Sequence, residues 1–116
     1  MNFKDLKDKV LEWADDKDLL YSQNADKQFM KFIEEVFEFK TEMDIRNNRF
    51  FSDVQKKIIL KDIRLEMGDI FVTLIILCEQ LGIDPEECLS MAYEKIKNRR
   101  GRTINGCFVK EEDLDE

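Results

Sequence analysis

The sequence predicts an all-α protein, a four-helix bundle that ends in a short C-terminal arm or hairpin. Helix-forming residues dominate its 116 positions, which include only four glycines and one proline. Apolar residues also recur with helical spacing, and helix start and stop signals separate the segments. With 43% hydrophobic and 39% charged residues, the chain has the composition of a compact, amphipathic, soluble domain and not of a disordered one.

Local capping signals define the ends of the expected helices. Asn2 is an N-cap for the first helix, and Ser52 followed by Gln55 has the spacing of a capping box at the third. Gly82 is placed to end the third helix, and Asp84 before a proline is an N-cap for the fourth. The predicted helices cover residues 3–15, 25–44, 53–81 and about 85–99.

The segments 70–77 and 104–107 add two further expectations. From residue 70 to 77 the third helix is apolar on almost every side, more than a chain of this size can cover by itself. We therefore expect burial by a second subunit, in a homodimer or a homotetramer. The sequence "INGC" at 104–107 contains an Asn-Gly tight turn, which is typical of a small hairpin.

Charge and composition exclude several classes of function. The net charge is −7, but five of the 26 acids lie in 111–116, so we expect one domain over 1–110 and an acidic tail. The basic cluster is too short for duplex nucleic acid, and the longest nearly apolar run, 70–78, is too short to span a membrane. Three cysteines without CxxC spacing, and no N-terminal signal pattern, favour a cytoplasmic chain.

The chain has no histidine, which removes histidine triads, bases and metal ligands. Any metal would be held by oxygen, which favours Mg²⁺, Mn²⁺ or Ca²⁺. Glu35 and Glu38 on the second helix, and Glu66 and Asp69 on the third, are each three residues apart and share a face. Either pair alone is typical of a solvated face. Two pairs on the most apolar helices of the chain favour a magnesium site between them.

A basic cluster, "EKIKNRRGR", lies near the predicted end of the fourth helix. Lys95 and Arg99 are four residues apart and would share a helix face, and Lys110 follows the tight turn. Bases are also favoured at any helix C-terminus by the macrodipole. As phosphate ligands, they would suit a phosphoanhydride substrate beside an oxygen-bound metal.

"EEVFE" at 34–38 followed by "EMGD" at 66–69 resembles the EExxE…ExxD signature of the all-α nucleoside triphosphate pyrophosphohydrolases, the MazG-like superfamily. The resemblance covers roughly residues 10–112. It includes the lead-in "WADDKDLLYSQNADKQFMKF", the central helix "GDIFVTLIILCEQLGID" and the closing segment "YEKIKNRRGRTINGCFVKEED". The group also contains dimeric all-α dUTPases and phosphoribosyl-ATP pyrophosphatases.

The resemblance implies a MazG-like bundle completed by oligomerisation. It also implies Mg²⁺-dependent hydrolysis of an NTP or dNTP to the monophosphate and pyrophosphate, with Mn²⁺ as a substitute metal. By position, the catalytic carboxylates would be Glu34, Glu35 and Glu38. The metal ligands would be Glu35, Glu38, Glu66 and Asp69. The substrate-binding residues would be Lys31, Thr73, Lys95, Arg99 and Lys110.

Two departures from the family leave the choice of base and sugar open. Thr73 stands where many relatives have asparagine, and the long spacer contains "RNNRFF", which would close over a base or pack on a second subunit. Trp13 is expected in the core of a helix face, with base stacking as the alternative. Rival functions are a narrower dUTPase-like or phosphoribosyl-ATP pyrophosphatase activity, and a non-catalytic helical adaptor with a structural ion.

Overall fold

A computed structural model describes residues 1–47 and 50–114, and for residue 59 it describes the backbone alone. The chain is mostly helical, as predicted, with four α-helices and a small two-stranded antiparallel sheet. The elements in chain order are α1 (Phe3–Asp16), α2 (Ala25–Arg46), α3 (Asp53–Gln80), α4 (Pro85–Ile96), β1 (Gly101–Ile104) and β2 (Cys107–Lys110). They divide into two compact units, Met1–Ile83 and Asp84–Glu116.

The predicted caps form at the expected residues. Asn2 and Ser52 each close a full capping box, with Asp5 and with Gln55 respectively. In each box the cap side chain accepts a hydrogen bond from the backbone N–H three residues on, and that residue's side chain accepts one in return. The start of α1 and of α3 is therefore fixed by contacts within the first turn.

Gly82 ends α3 through a Schellman motif. Its backbone is left-handed, with φ of 72°, and its N–H donates to the carbonyl of Glu79. The N–H of Ile83 donates to the carbonyl of Cys78, which completes the motif. A residue with a side chain is strained in this conformation, so glycine is what allows α3 to stop here.

In the first unit, α3 packs most extensively against α2 and also packs against α1. A short 3₁₀ helix, Ser22–Asn24, also contacts α3. The side-chain amide of Gln80 donates to the carbonyl of Leu19 at 2.6 Å and so fixes the α1–α2 connection to α3. The buried apolar residues of this unit are Ala14, Ile63, Ile75, Ile76, Leu77 and Cys78.

The chain itself buries only part of the apolar run 70–77. Ile75, Ile76 and Leu77 are buried by the unit's own elements, whereas Ile70 is half-buried and Phe71 is exposed. The first unit therefore covers the second half of the run and leaves part of the first half open.

In the second unit, α4 begins at the predicted cap, since the Asp84 side chain accepts a hydrogen bond from the N–H of Glu86 at 3.0 Å. The predicted hairpin is also present. β1 pairs antiparallel with β2, Ile104 opposite Cys107, around a two-residue turn at Asn105 and Gly106. Both turn residues have positive φ, as a type I′ turn requires.

The predicted end of α4 near residue 99 is wrong, because the helix ends at Ile96. Of the acidic tail, Glu111–Asp113 form a 3₁₀ helix and residues 115–116 lie outside the described residues. The same holds for Asn48 and Arg49 of the spacer between α2 and α3, so the part of the expectation for "RNNRFF" that falls on Arg49 lies outside the described residues. Phe50 beside them is exposed.

Candidate metal centre

Three carboxylates meet where α2 packs against α3. Glu35 and Glu38 lie one turn apart on α2, and Glu66 lies on the facing side of α3. One carboxylate oxygen from each can be chosen so that all three lie within 4.8 Å of one another. We call Glu35, Glu38 and Glu66 the acidic cluster. Such close oxygens suit a shared cation, because carboxylates are the preferred ligands of hard divalent ions.

The burial of two of these carboxylates distinguishes the cluster from a solvated helix face. Glu35 is only 7% exposed. Its Oε2 and the Oε2 of Glu66 are buried, and neither has a hydrogen-bond partner among the described residues. Buried polar atoms are almost always satisfied, and buried charges need a counter-charge. The donor set therefore fits an oxygen-bound divalent cation such as Mg²⁺ or Mn²⁺.

The electrostatics of Glu66 lead to the same conclusion. Burial is the largest effect that raises the pKa of the Glu66 carboxyl, followed by the negative charges of Glu38, Glu35 and Asp69. In the absence of a cation, the protein therefore holds this carboxylate in a place that disfavours its charged form.

Asp69 and Glu34, the other two acids predicted for the site, lie at its edge. Asp69 is exposed and falls outside the acidic cluster, but it is near enough for its charge to raise the pKa of Glu66. Glu34 is exposed and pairs with Lys31, its Oε2 lying 3.5 Å from Nζ. The structure therefore gathers three of the four predicted metal ligands most closely, with the fourth one turn away.

Lys31, predicted to bind substrate, contacts the cluster directly. Its Nζ lies 3.3 Å from Oε1 of Glu35, one turn further along α2. The hydrogen bond and charge of Glu35 raise the pKa of Lys31, and Glu34 adds to this, while burial acts in the opposite direction. The ammonium group is thus fully charged and partly neutralises the buried carboxylate.

A cavity of about 420 Å³ adjoins the cluster within the first unit. Its lining combines polar groups with an apolar floor: Trp13, Leu19, Gln28, Lys31, Glu35, Asp69, Val72, Thr73 and Ile76. The Gln28 amide donates from Nε2 to the carbonyl of Thr73 at 3.2 Å. The Thr73 hydroxyl donates to the carbonyl of Ile70, so its proton is already used and only its lone pairs remain for a ligand.

Trp13 is not a core residue within one chain, contrary to the expectation. Its side chain is 51% exposed and lines both this cavity and a second, more apolar one of about 350 Å³. The second cavity is formed with Leu6, Lys9, Val10 and Val72. The buried residues of α1 are instead Lys7 and Ala14. Trp13 thus presents an aromatic surface beside the acidic cluster.

The predicted phosphate ligands meet in the second unit. Lys95, Arg99 and Lys110 line one cavity of about 420 Å³, together with Asn98, Arg100, Glu111 and Glu112. The reason given from the sequence was wrong, since α4 ends before Arg99 and the two residues do not share a helix face. A turn in which the N–H of Arg99 donates to the carbonyl of Ile96, and the fold-back of β2, bring them together instead.

Sequence reasoning missed most of the cavity wall beside the cluster. Leu19, Val72 and Ile76 are aliphatic residues that carry no chemical signal. Gln28 belongs to the lead-in segment of the MazG-like resemblance. Its position two turns before Glu35 on the same helix face was the available signal for a polar group near the site.

No family model, curated protein or solved structure matches this chain. Over the described residues, the helices are all too short or too polar to cross a membrane. The MazG-like resemblance accordingly rests on the motifs of the sequence, and its implications are taken further as a proposal.

Stabilisation by a divalent cation should depend on pH. The raised pKa means that the folded, metal-free protein holds a proton on Glu66 more tightly than the unfolded chain, whose carboxyl has a pKa near 4.5. The free energy of unfolding of the metal-free protein therefore falls as pH rises through the pKa of Glu66 in the folded state. Over the same range fewer protons compete with a cation for this carboxylate, so the cation binds more tightly. We expect the increase in Tm caused by Mg²⁺ or Mn²⁺ to be larger at about pH 7.5 than at about pH 5. Equal shifts at both values would contradict a cation site at Glu66.

Proposed function

We propose that this chain is a metal-dependent nucleoside triphosphate pyrophosphohydrolase of the MazG-like type. It would convert an NTP or dNTP to the monophosphate and pyrophosphate, with Mg²⁺ as the metal and Mn²⁺ as a substitute. The observation that carries the proposal is the acidic cluster, in which two buried carboxylate oxygens lack a partner among the described residues. Its position on the wall of a cavity with an aromatic side supports a nucleotide as the ligand.

A bound divalent ion would supply charge neutralisation for the polyphosphate and a more acidic water. Glu35, Glu38 and Glu66 would hold the ion, and Asp69 would join them when a ligand fills the cavity. A water would add to the α-phosphorus, the bond between this phosphorus and the α,β-bridging oxygen would break, and pyrophosphate would leave. Glu35 or Glu38 would accept the proton of the water, and Glu34 would help to orient it. The products are the nucleoside monophosphate and pyrophosphate.

Trp13 and Gln28 suit the base of such a nucleotide. A half-exposed indole offers a face on which any base can stack, above a floor made by Val72 and Ile76. The backbone carbonyl of Thr73 can only accept a hydrogen bond, so the amide nitrogen of Gln28 must face it. The amide oxygen is then left to accept a bond from a ligand.

The basic cavity of the second unit is proposed to bind phosphate. Lys95, Arg99 and Lys110 provide three cationic side chains on one surface, and Lys110 makes a long ionic contact of 4.0 Å with Glu112. The planar guanidinium group of arginine, which can bind two oxygens at once, and the ammonium group of lysine both suit phosphate oxygens. Substitution of these residues is expected to weaken the binding of phosphate-bearing ligands.

We also propose that the chain is a cytoplasmic homodimer or homotetramer. One face of α2 leaves large apolar side chains exposed, among them Phe29, Met30 and Phe37, the last with 67% of its surface open. Contiguous apolar surface of this kind is characteristic of interfaces. The three cysteines, all of which the structure describes, are not joined in disulfides. The proposal of a reducing compartment rests on their number and spacing in the sequence.

The experiment that tests the function is pyrophosphate release from each common ribo- and deoxyribonucleoside triphosphate and from dUTP, with Mg²⁺ and with excess chelator. We expect release from at least one substrate that stops on chelation. dUTP hydrolysis alone would point to the narrower dUTPase-like activity. No release from any nucleotide, together with a rise in Tm on adding Mg²⁺ that a non-hydrolysable nucleotide does not extend, would contradict the enzyme and favour an adaptor with a structural ion.

A further inference from the structure

Lys31 occupies a position between the acidic cluster and the adjoining cavity. Its Nζ lies 3.3 Å from Oε1 of Glu35 and 3.5 Å from Oε2 of Glu34. The same side chain lines the cavity together with Asp69 and Thr73. A single cation is thus within reach both of a buried member of the cluster and of any ligand that enters the cavity.

The two ends of the Lys31–Glu35 pair differ in their freedom to move. The Glu35 side chain is held in the α2–α3 interface and is only 9% exposed, whereas the Lys31 side chain is 54% exposed. An exposed lysine gains little from any one ion pair and can change partners at low cost. Glu35 cannot follow it, so the pair can be opened only by movement of Lys31.

A divalent ion in the cluster would compete with Lys31. Both cations draw on the carboxylate of Glu35, and they repel each other at close range. When the ion is absent, Lys31 is the counter-charge beside Oε1 of the buried Glu35 carboxylate, whose Oε2 has no hydrogen-bond partner among the described residues. When the ion is present, that counter-charge is no longer needed, and the ammonium group is left facing the cavity.

We propose that Lys31 exchanges partners during binding, from Glu35 in the metal-free protein to an anionic phosphate oxygen of the ligand once the metal is bound. This rests on the proposed function and specifies how its two ligands are coupled. The metal weakens the hold of Glu35 on Lys31, and the released ammonium group strengthens the binding of phosphate. By reciprocity, a phosphate ligand that holds Lys31 strengthens the binding of the metal.

The proposed exchange predicts a different effect of substituting Lys31 from the one expected if Lys31 merely orients Glu35 for the metal. In that second case the substitution would leave metal binding unchanged or weaken it. Removing the charge of Lys31 should tighten binding of the metal alone, because a competing cation has gone. For a unit charge near a divalent ion in water and salt, we expect Mn²⁺ to bind Lys31→Gln about three- to tenfold more tightly than wild type. Pyrophosphate should bind the Mn²⁺-loaded Lys31→Gln protein about tenfold more weakly than the loaded wild type, since one cationic contact is lost.

The experiment is isothermal titration with Mn²⁺ alone, and then with pyrophosphate in the presence and absence of Mn²⁺. The proteins are wild type, Lys31→Gln, Lys31→Arg and the control Lys40→Gln. Lys40 is also an exposed lysine of α2, and it pairs with Asp44 at 2.7 Å, away from the cluster. Lys31→Arg keeps the charge and should resemble wild type in both titrations, and Lys40→Gln should change Mn²⁺ affinity by less than about twofold.

The outcomes separate this inference from the proposed function. If wild type binds no Mn²⁺, the metal-dependent function itself fails. If wild type binds Mn²⁺ and Lys31→Gln binds it equally or more weakly, the function stands and the exchange is overturned, with Lys31 merely orienting Glu35. Tighter Mn²⁺ binding with unchanged pyrophosphate affinity would overturn the transfer of Lys31 to phosphate.

Discussion

Replacing Glu66 by glutamine is expected to abolish pyrophosphate release while leaving the metal-free protein at least as stable as wild type. The two results have one physical origin. The environment that raises the pKa of Glu66 disfavours its charge in the folded state, so a neutral side chain of the same size relieves repulsion from Glu38 and Glu35. The same substitution removes a metal ligand. Loss of a residue that only supports a metal ligand typically lowers metal affinity or activity by about 10- to 100-fold. Because Glu66 is itself a proposed ligand, we expect its substitution to lower activity by at least about 100-fold.

The control for this variant is Glu79→Gln, the same chemical change on an exposed residue of the same helix. It should retain activity and the increase in Tm that the metal causes. Chemical denaturation without metal measures the stability of Glu66→Gln relative to wild type. The change in Tm with Mg²⁺ shows whether each variant still binds the metal. A Glu66→Gln protein that is clearly less stable than wild type without metal would show that the carboxylate is stabilised by contacts other than a cation.

Replacing Trp13 by alanine is expected to raise KM for the nucleotide about tenfold with little change in kcat, since base stacking contributes about 1–3 kcal/mol. The side chain is half exposed, so its removal should cost less stability than the ~3–5 kcal/mol lost with a buried tryptophan. Trp13→Phe keeps an aromatic face and should recover most of the affinity. Steady-state kinetics and thermal unfolding of both variants measure these effects.

Leu6→Ala is the matched control for Trp13. Leu6 lines the apolar cavity on the far side of Trp13 but not the cavity beside the acidic cluster, and it is similarly exposed. It should leave KM unchanged. If Trp13→Ala and Leu6→Ala instead both lower Tm in a concentration-dependent way and leave KM alone, Trp13 belongs to an interface between copies of the chain and not to the nucleotide site.

The features predicted best from the sequence are those whose causes are local. A capping box needs only Ser52 and Gln55, and a Schellman motif needs only a glycine at the end of the helix. The turn at Asn105 and Gly106 is likewise decided by two adjacent residues that tolerate positive φ. In each case the interacting groups are within a few residues, so the sequence contains all the partners.

Features that depend on distant partners were predicted less well. Helical spacing places Phe3, Leu6 and Trp13 on one apolar face of α1, but it cannot say how much of that face finds a neighbour, and all three are about half exposed. Lys7 lies in the buried part of the same helix, although spacing alone would assign a lysine to solvent. Such outcomes depend on how α1 is rotated against α3.

The acidic cluster is intermediate between these cases. The spacing of Glu35 and Glu38 placed them on one face, and only the packing of α2 on α3 could bring Glu66 to them. The sequence also suggested that Asp69 would be an equal member, yet it is exposed and at the edge. One turn of helix is enough to move a side chain from the interface to the rim.

The buried oxygens of Glu35 and Glu66 that lack a hydrogen-bond partner within the described part of the chain also bear on the lifetime of the protein in a cell. A ligand that binds only the folded state adds stability as its concentration rises, about 2.7 kcal/mol at 100 times its Kd. Because proteases act on the small unfolded fraction, such a difference changes abundance several-fold. A chain in which these two oxygens gain a partner only when the ion is bound would be degraded faster when divalent ions are scarce. The carboxylates that make the site would then set how much of the protein a metal-starved cell retains.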